Sequence, residues 1–505
     1  MEDWLLITLT VSLLTLVYLL FNTTTTNKKR KLPPGPPTLL ENLTWIRTSM
    51  FDLAPALRQL QSIYGPIFTI SIGFRPLIFI TDRDLAHKIL IRNGAAFANR
   101  PPSLEPNPAI ISSPYGPRWR LLRRNLAFEV LQPSRLRSHS NSRKWVLRYL
   151  ADDLRNQANA RGGLCVPVES FRHAMFRLLV LICFGGNVGE SVIRDIEEIE
   201  GELILHIAKL NVFRSMPGLM KLIFRKRWQK FMQIRRRQEE IYSPLIRARK
   251  QSTNNDAAFN YVDSLLQLKL TPEEGGRGLT EREMVHLCSE LLFAGTDSTS
   301  TALQWIMANV VKYPHVQKKI LEEVIRVGGD ETEEVKEEDI QRMPYVKAVV
   351  LEGLRRHPPA HFLVPHTVSE EVSVDGYIIP KNATFYVTLA EIGWDEKVWK
   401  EPMEFRPERF LVNGDEGAEA TATAVDITGS REIKMMPFGV GRRICPGMGL
   451  ALLHLEYFVA NLVRDFEWKA VEDEEIDLSE KVEMTVVMKN PLRAKIVPRA
   501  RVVAQ

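Results

Sequence analysis

The 505-residue chain is 45% hydrophobic and 25% charged, values of a folded globular protein that exclude a disordered or low-complexity chain. Its four cysteines (Cys165, Cys183, Cys288, Cys445) are scattered, and its ten histidines form neither HExxH nor a paired Cys/His spacing. Those patterns exclude a disulfide scaffold and a zinc motif, and they point to a reducing compartment. The net charge of +6 (67 basic minus 61 acidic) gathers in Lys28–Lys31 and Phe224–Arg237 with no nucleic-acid-recognition motif beside it, so no nucleic-acid partner is expected.

In chain order, the first element is the uncharged run WLLITLTVSLLTLVYLLF, Trp4 to Phe21. Its 18 residues are about the minimum for a helix that crosses a ~30 Å hydrocarbon core. Acidic residues precede it (Glu2, Asp3) and Lys28–Lys31 follows, the pattern of an uncleaved signal anchor with a lumenal N-terminus. Residues 1–22 are therefore expected to be a transmembrane helix. Residues 23–37, basic and ending in LPPGPP, form a hinge whose prolines cannot continue a helix. Residues 38–505 read as one domain.

Within it helical periodicity dominates, as in YVKAVVLEGLRRH and LALLHLEYFVANLVRDF. Strand-like runs are IFTISIG and PLIFIT early, then SVDGYIIP and ATFYVTL. The longest helix is expected from Glu281 to Tyr313 behind a Thr280 N-cap, ~50 Å at 1.5 Å per residue. The small and polar tract 413–430 reads as a surface insertion.

The stretch FGVGRRICPG, Phe438 to Gly447, carries the chemistry. Gly439, Gly441 and Gly447 permit positive φ and close approach to a flat ligand. Cys445, followed by Pro446 at what reads as a helix entry, places a thiolate at the positive end of a helix dipole. Arg443 projects toward the same ligand and can pair with a carboxylate on it, while Phe438 shields the sulfur. This is the pattern FxxGxRxCxG, complete at each fixed position, and it resembles the haem-binding loop of the cytochrome P-450 family.

The resemblance extends from the anchor to the C-terminus. Glu352 and Arg355 match the family's Glu-x-x-Arg, and PERF supplies its third partner, Arg409; the three imply a buried structural triad. In AGTDSTS, Ala294 and Gly295 match the small pair that leaves room beside the haem. Asp297, Ser298 and Thr299 match the acid–alcohol relay, with Ser298 in the usual threonine slot. That serine implies retained but leakier oxygen activation, because it is freer at χ1 than threonine. Trp119 and Arg123 match WxxxR, which with Arg443 and His366 implies contacts to the haem propionates. The pocket is expected to be lined by Ile110, Phe293, Leu363, Val364 and Val486. The motifs have the style of plant microsomal members, and the DITGSREIKMMPFG lead-in is similar to that of one of their subfamilies.

The implied fold is mainly α with small β-sheets. The implied cofactor is haem b (iron protoporphyrin IX), with Cys445 as axial thiolate and metal ligand. The implied activity is monooxygenation of a small lipophilic substrate at the endoplasmic reticulum membrane, catalytic domain in the cytosol. Electrons would come from NADPH through a cytochrome P-450 reductase, with cytochrome b5 a further candidate donor, docking near Arg442 and Lys434. The stretch VFRSMPGLMKLIFRKRW is a candidate second contact with membrane lipid. Two other readings stay open: a haem-thiolate isomerase or dehydratase that needs no reductase, and a non-enzymatic haem protein.

Overall fold

The computed structural model describes residues 12, 32–36 and 54–499, apart from 73–74, 106, 187, 208, 211–212, 214–216, 252–258, 329–333, 413–420 and 423–424. The expected anchor, all but residue 12, and most of the hinge lie outside the described residues. Among the described residues no helix is long and apolar enough to cross a membrane.

The fold is mainly helical with small sheets. The β-branched and aromatic runs form β1 (Ile67–Ile72) and β2 (Arg75–Ile80), an antiparallel pair in register from Ile67 opposite Ile80 to Ile72 opposite Arg75. Two later strands, β3 (His366–Thr367) and β4 (Thr384–Val387), complete a four-stranded sheet in the order β1-β2-β4-β3. β2 and β4 run parallel, and His366 pairs with Phe385 across the β3–β4 edge. SVDGYIIP folds into its own hairpin, Val372–Val374 against Tyr377–Ile379. Its turn places Asp375 and Gly376 at φ 48° and 80°, the left-handed pair that a two-residue hairpin turn requires.

The helices that build the site are α1 (Pro117–Asn125), α2 (Val168–Phe184), α3 (Glu190–Ile207), α4 (Arg225–Gln251), α5 (Glu281–Lys312), α6 (Pro344–Arg356) and α7 (Met448–Asp465). α5 starts where expected. Thr280 Oγ1 accepts the Glu283 N–H (3.3 Å) and the Glu283 carboxylate accepts the Thr280 N–H (2.8 Å), a capping box. It ends at Lys312, before Tyr313-Pro314, because a residue preceding proline disfavours the helical region. The main core gathers around this helix: Leu178 of α2, Trp305 and Ile306 of α5, Val346 and Val349 of α6 and Phe458 of α7 are all buried in one cluster. α5 is buried over Glu283–Ser289 and again from Thr299 to Val311. Between them Glu290, Ala294 and Ser298 are accessible, Ala294 the most. With α2, α3, α4, α6 and α7 packed around the same helix, this break in burial marks the wall of an internal cavity.

Below the cavity a charged knot ties the chain together. Glu352 on α6, wholly buried, accepts from Arg355 Nε (2.7 Å) and Nη2 (2.8 Å), from Arg409 Nε (3.0 Å) and from the Arg406 backbone N–H (2.8 Å). Arg355 also donates to the carbonyls of Gly393 and Pro402, both at 2.8 Å, and lies over the ring of Trp399. Trp399 Nε1 in turn donates to Lys434 O (3.1 Å), three residues from the start of the cysteine loop. Breaking a buried ion pair on one side costs about 3–5 kcal/mol. Glu352→Gln keeps the shape and strips both guanidiniums of their counter-charge, so it is expected to lower the urea midpoint of the full-length protein accordingly; an unchanged midpoint would show that the knot does not hold the fold.

Candidate functional site

The cysteine loop closes on itself through Cys445 N–H, which donates to Phe438 O (2.9 Å). Gly439 and Gly441 have φ of 66° and 73°, and a Cβ on Gly441 would fall 2.3 Å from Leu90 O, so glycine is required there on both counts. Gly447 departs from expectation: at φ −84° it needs no left-handed backbone and is instead the N-cap of α7. Pro446 lies just before that cap and not inside the first turn. The thiol of half-buried Cys445 is raised by burial, while a hydrogen bond from the Gly447 N–H and the nearby Arg123 act in the opposite direction. The protein thus aims two anion-stabilising groups at a sulfur that, on its own, keeps its proton. Phe438 is half-buried and packs against the main core.

A cluster of cations borders the loop. Arg123, one turn beyond Trp119 on α1, donates to Ile444 O (2.7 Å). Arg443 lies over the Trp119 ring at 4.4 Å and donates to the carbonyls of Ala98 (2.8 Å), Ile110 (3.2 Å) and Ser113 (2.6 Å). Burial, with Arg123 adding repulsion, brings its guanidinium down to about 10. Neither Arg123 nor Arg443 has a carboxylate within ion-pair distance among the described residues. His366 is buried and donates Nδ1–H to Phe97 O (2.8 Å); a carbonyl only accepts, so Nε2 of the neutral ring cannot also donate. Burial, then Arg100, push its pKa well below the ordinary value. His366 therefore braces the 97–100 segment through Nδ1. Sequence reasoning missed Arg100. It stands in the same cluster, donating to Ile111 O (2.9 Å), Val364 O (2.7 Å) and Pro365 O (2.9 Å).

On α5, Ala294 and Ser298 face the cavity, and Ser298 Oγ donates to Ala294 O (2.9 Å). Asp297 pairs with Arg172 Nε at 3.4 Å; burial raises its carboxyl and Arg172 opposes the rise. Two expectations need correction. A Cβ on Gly295 would lie 2.8 Å from Leu179 Cδ1 of α2, so this glycine admits a neighbouring helix and not a ligand. Thr299 is buried in the packed side of the helix, away from the accessible stretch that Ser298 lines.

The expected pocket residues also divide. Ile110 is buried in the loop that Arg443 holds. Phe293 packs against the cluster formed by α3 and α4. Leu363 is half-buried near Gly439, and Val364 is 48% exposed. Val486 is buried: its N–H reaches Pro359 O (2.9 Å) and its carbonyl accepts from Trp305 Nε1 (2.7 Å), so it packs against α5 instead of opening onto the pocket. Sequence reasoning missed Glu290 as well, although its spacing of four and eight residues from Ala294 and Ser298 gave the signal.

These residues fit a flat, dianionic, iron-bearing group. Trp119 Nε1 is buried without a hydrogen-bond partner, two guanidiniums lack counter-charges, the sulfur of half-buried Cys445 receives an N–H, and the mid-helix wall is accessible. A family model described as cytochrome P450 matches residues 33–497. Cytochrome P450 89A9 of Arabidopsis thaliana is 46% identical over 489 residues, 93% of this chain and 94% of that one. Flavonoid 3',5'-hydroxylase CYP75B138 of Crocosmia x crocosmiiflora is 30% identical over 95% of this chain and 94% of its own. Geraniol 8-hydroxylase of Catharanthus roseus is 28% identical over 97% and 99%. Motif, cation cluster, fold and relatives agree, and the chain belongs to the cytochrome P450 family.

Proposed function

We propose that this cytochrome P450 monooxygenase binds haem b between the Cys445 loop and the middle of α5, takes electrons from a membrane-bound NADPH reductase, and oxidises a small lipophilic molecule of plant secondary metabolism. The observation that carries the reading is Cys445, half-buried in its closed loop with its sulfur approached by the Gly447 N–H and Arg123. Haem held by the Cys445 thiolate would supply the dioxygen activation.

The chain's own residues do the rest. The Gly447 N–H and Arg123 hold Cys445 Sγ as the anion once its proton is lost. Trp119 Nε1, Arg123 and Arg443 receive the carboxylates, with Arg100 and His366 bordering the same cluster. Arg172, 35% exposed on its side chain, links Asp297 to solvent. Asp297 takes up a proton at its carboxylate and gives it to Ser298 Oγ as that hydroxyl releases its own proton into the cavity. The Ala294 carbonyl pins that hydroxyl, offsetting the rotational freedom of serine. An isomerase or dehydratase has no use for this route, which favours the monooxygenase. Ile110, Phe293, Leu363 and Val364 enclose the substrate, and the flavonoid and geraniol hydroxylases among the relatives support a lipophilic one.

The membrane setting follows the same reading: residues 1–22 anchor the protein in the endoplasmic reticulum, 23–37 form the hinge, and 38–505 the cytosolic catalytic domain. Exposed Leu205, Leu222 and Ile223 beside Lys226 and Arg227 support a second lipid contact. Exposed Arg120, Arg124 and Arg442 support docking of an acidic reductase face; Lys434 is committed to Glu432 at 2.9 Å.

Cys445→Ser is expected to abolish the red-shifted carbon monoxide band of the reduced protein, and a persisting band would overturn the reading. Ser298→Ala is expected to keep that band while a larger share of the NADPH consumed, with reductase and substrate present, ends as hydrogen peroxide; unchanged coupling would remove Ser298 from the proton route.

A further inference from the structure

Apart from Asp297, which the proton route uses, Glu290 is the one carboxylate on the accessible stretch of α5 from 290 to 298. It precedes Ala294 by four residues and Ser298 by eight, so the three drift only about 40° per step around one broad face of the helix. The side chain is deep in the protein yet half-accessible, as a cavity-wall residue is. Its Oε2 accepts the N–H of Ile111 at 2.8 Å, and the Ile110 N–H also reaches the carboxyl. The same two peptides give their carbonyls to Arg443 and Arg100. The loop that carries Ile110 is thereby strung between Glu290 above and the cation cluster below.

Two amides orient this carboxylate, but no cation pairs with it among the described residues. Arg235 is committed to Glu105 (2.7 Å), as is His286 Nδ1 (2.9 Å), and Arg443 is held by three carbonyls. Burial pushes the Glu290 carboxyl up to about 7. A deep-set ionised carboxylate without a counter-charge is costly, and a cation that enters beside it relieves that cost. The neighbours of the carboxylate on this stretch and on the loop are apolar or small, Ile110 and Ala294 among them.

The geometry points to Glu290 as an anionic anchor for a lipophilic substrate that carries a protonated amine, which it holds against the wall next to Ala294. The inference names the substrate class of the proposed monooxygenase site and rests on that reading.

The test is equilibrium dialysis of the full-length, haem-loaded protein in lipid nanodiscs with two probes: a phenylpropyl dimethylamine, and the hydrocarbon in which an isopropyl group replaces the dimethylamino group. Glu290→Gln keeps an oxygen for the two amides and removes the charge. It is expected to weaken amine binding at least about tenfold, the scale of a desolvated charge pair, and to leave the hydrocarbon within about twofold. Equal amine binding by both proteins would overturn the proposal. Equal weakening of both probes would also overturn it, because Glu290 would then serve only to hold the loop. The carbon monoxide band of the wild type reports separately on the haem site, so a normal band with no effect of the variant on the amine sinks the anchor alone.

Discussion

The carboxylate of Glu352 is the constraint on which the site depends. A wholly buried charge survives only if it is paired and hydrogen-bonded on every side, and Glu352 accepts four N–H donors from Arg355, Arg406 and Arg409. Those partners come from segments about fifty residues apart. The pairing therefore dictates where the irregular stretch 393–409 must lie against α6, and no regular secondary structure could do this for it. Trp399 carries the placement onward to Lys434, and the cysteine loop hangs from that point.

A second constraint is electrostatic and runs the other way. The loop region gathers Arg100, Arg123 and Arg443 around a thiol that burial keeps protonated. Carbonyls at Ala98, Ile110 and Ser113 partly satisfy Arg443, yet a carbonyl is a dipole and not a counter-ion. Arg123 and Arg443 have no carboxylate within ion-pair distance among the described residues, and an iron-bearing group with two carboxylates would supply that charge. Loop, cation cluster and α5 thus form one unit: the peptides at Ile110 and Ile111 touch Arg443 and Arg100 on one side and Glu290 on the other.

Local chemistry was legible in the sequence. The Thr280 capping box, the Asp375-Gly376 turn and the left-handed glycines at 439 and 441 each follow from residues that are neighbours in the chain. The partners of Glu352 were legible only because family resemblance names them, since no spacing announces that Arg409 returns to α6. What escaped was what packing decides. Gly295 reads as room for a ligand until Leu179 of α2 is seen to need that space. Thr299 reads as part of the relay until the helix turns it into the packed side. Val486 is drawn against α5 by the indole of Trp305, and His366 spends its only ring N–H on Phe97 O. Each of these is a long-range contact, invisible to periodicity. Glu290 shares a helix face with Ala294 and Ser298, a spacing legible in the sequence, although the family motifs lie in the turn that follows it.

The account stands or falls on the bond between Cys445 and iron. Iron K-edge X-ray absorption of the full-length, haem-loaded ferric protein measures it directly. The account predicts a single sulfur neighbour in the first coordination shell beside the four porphyrin nitrogens. A first shell built of nitrogen and oxygen alone would contradict it.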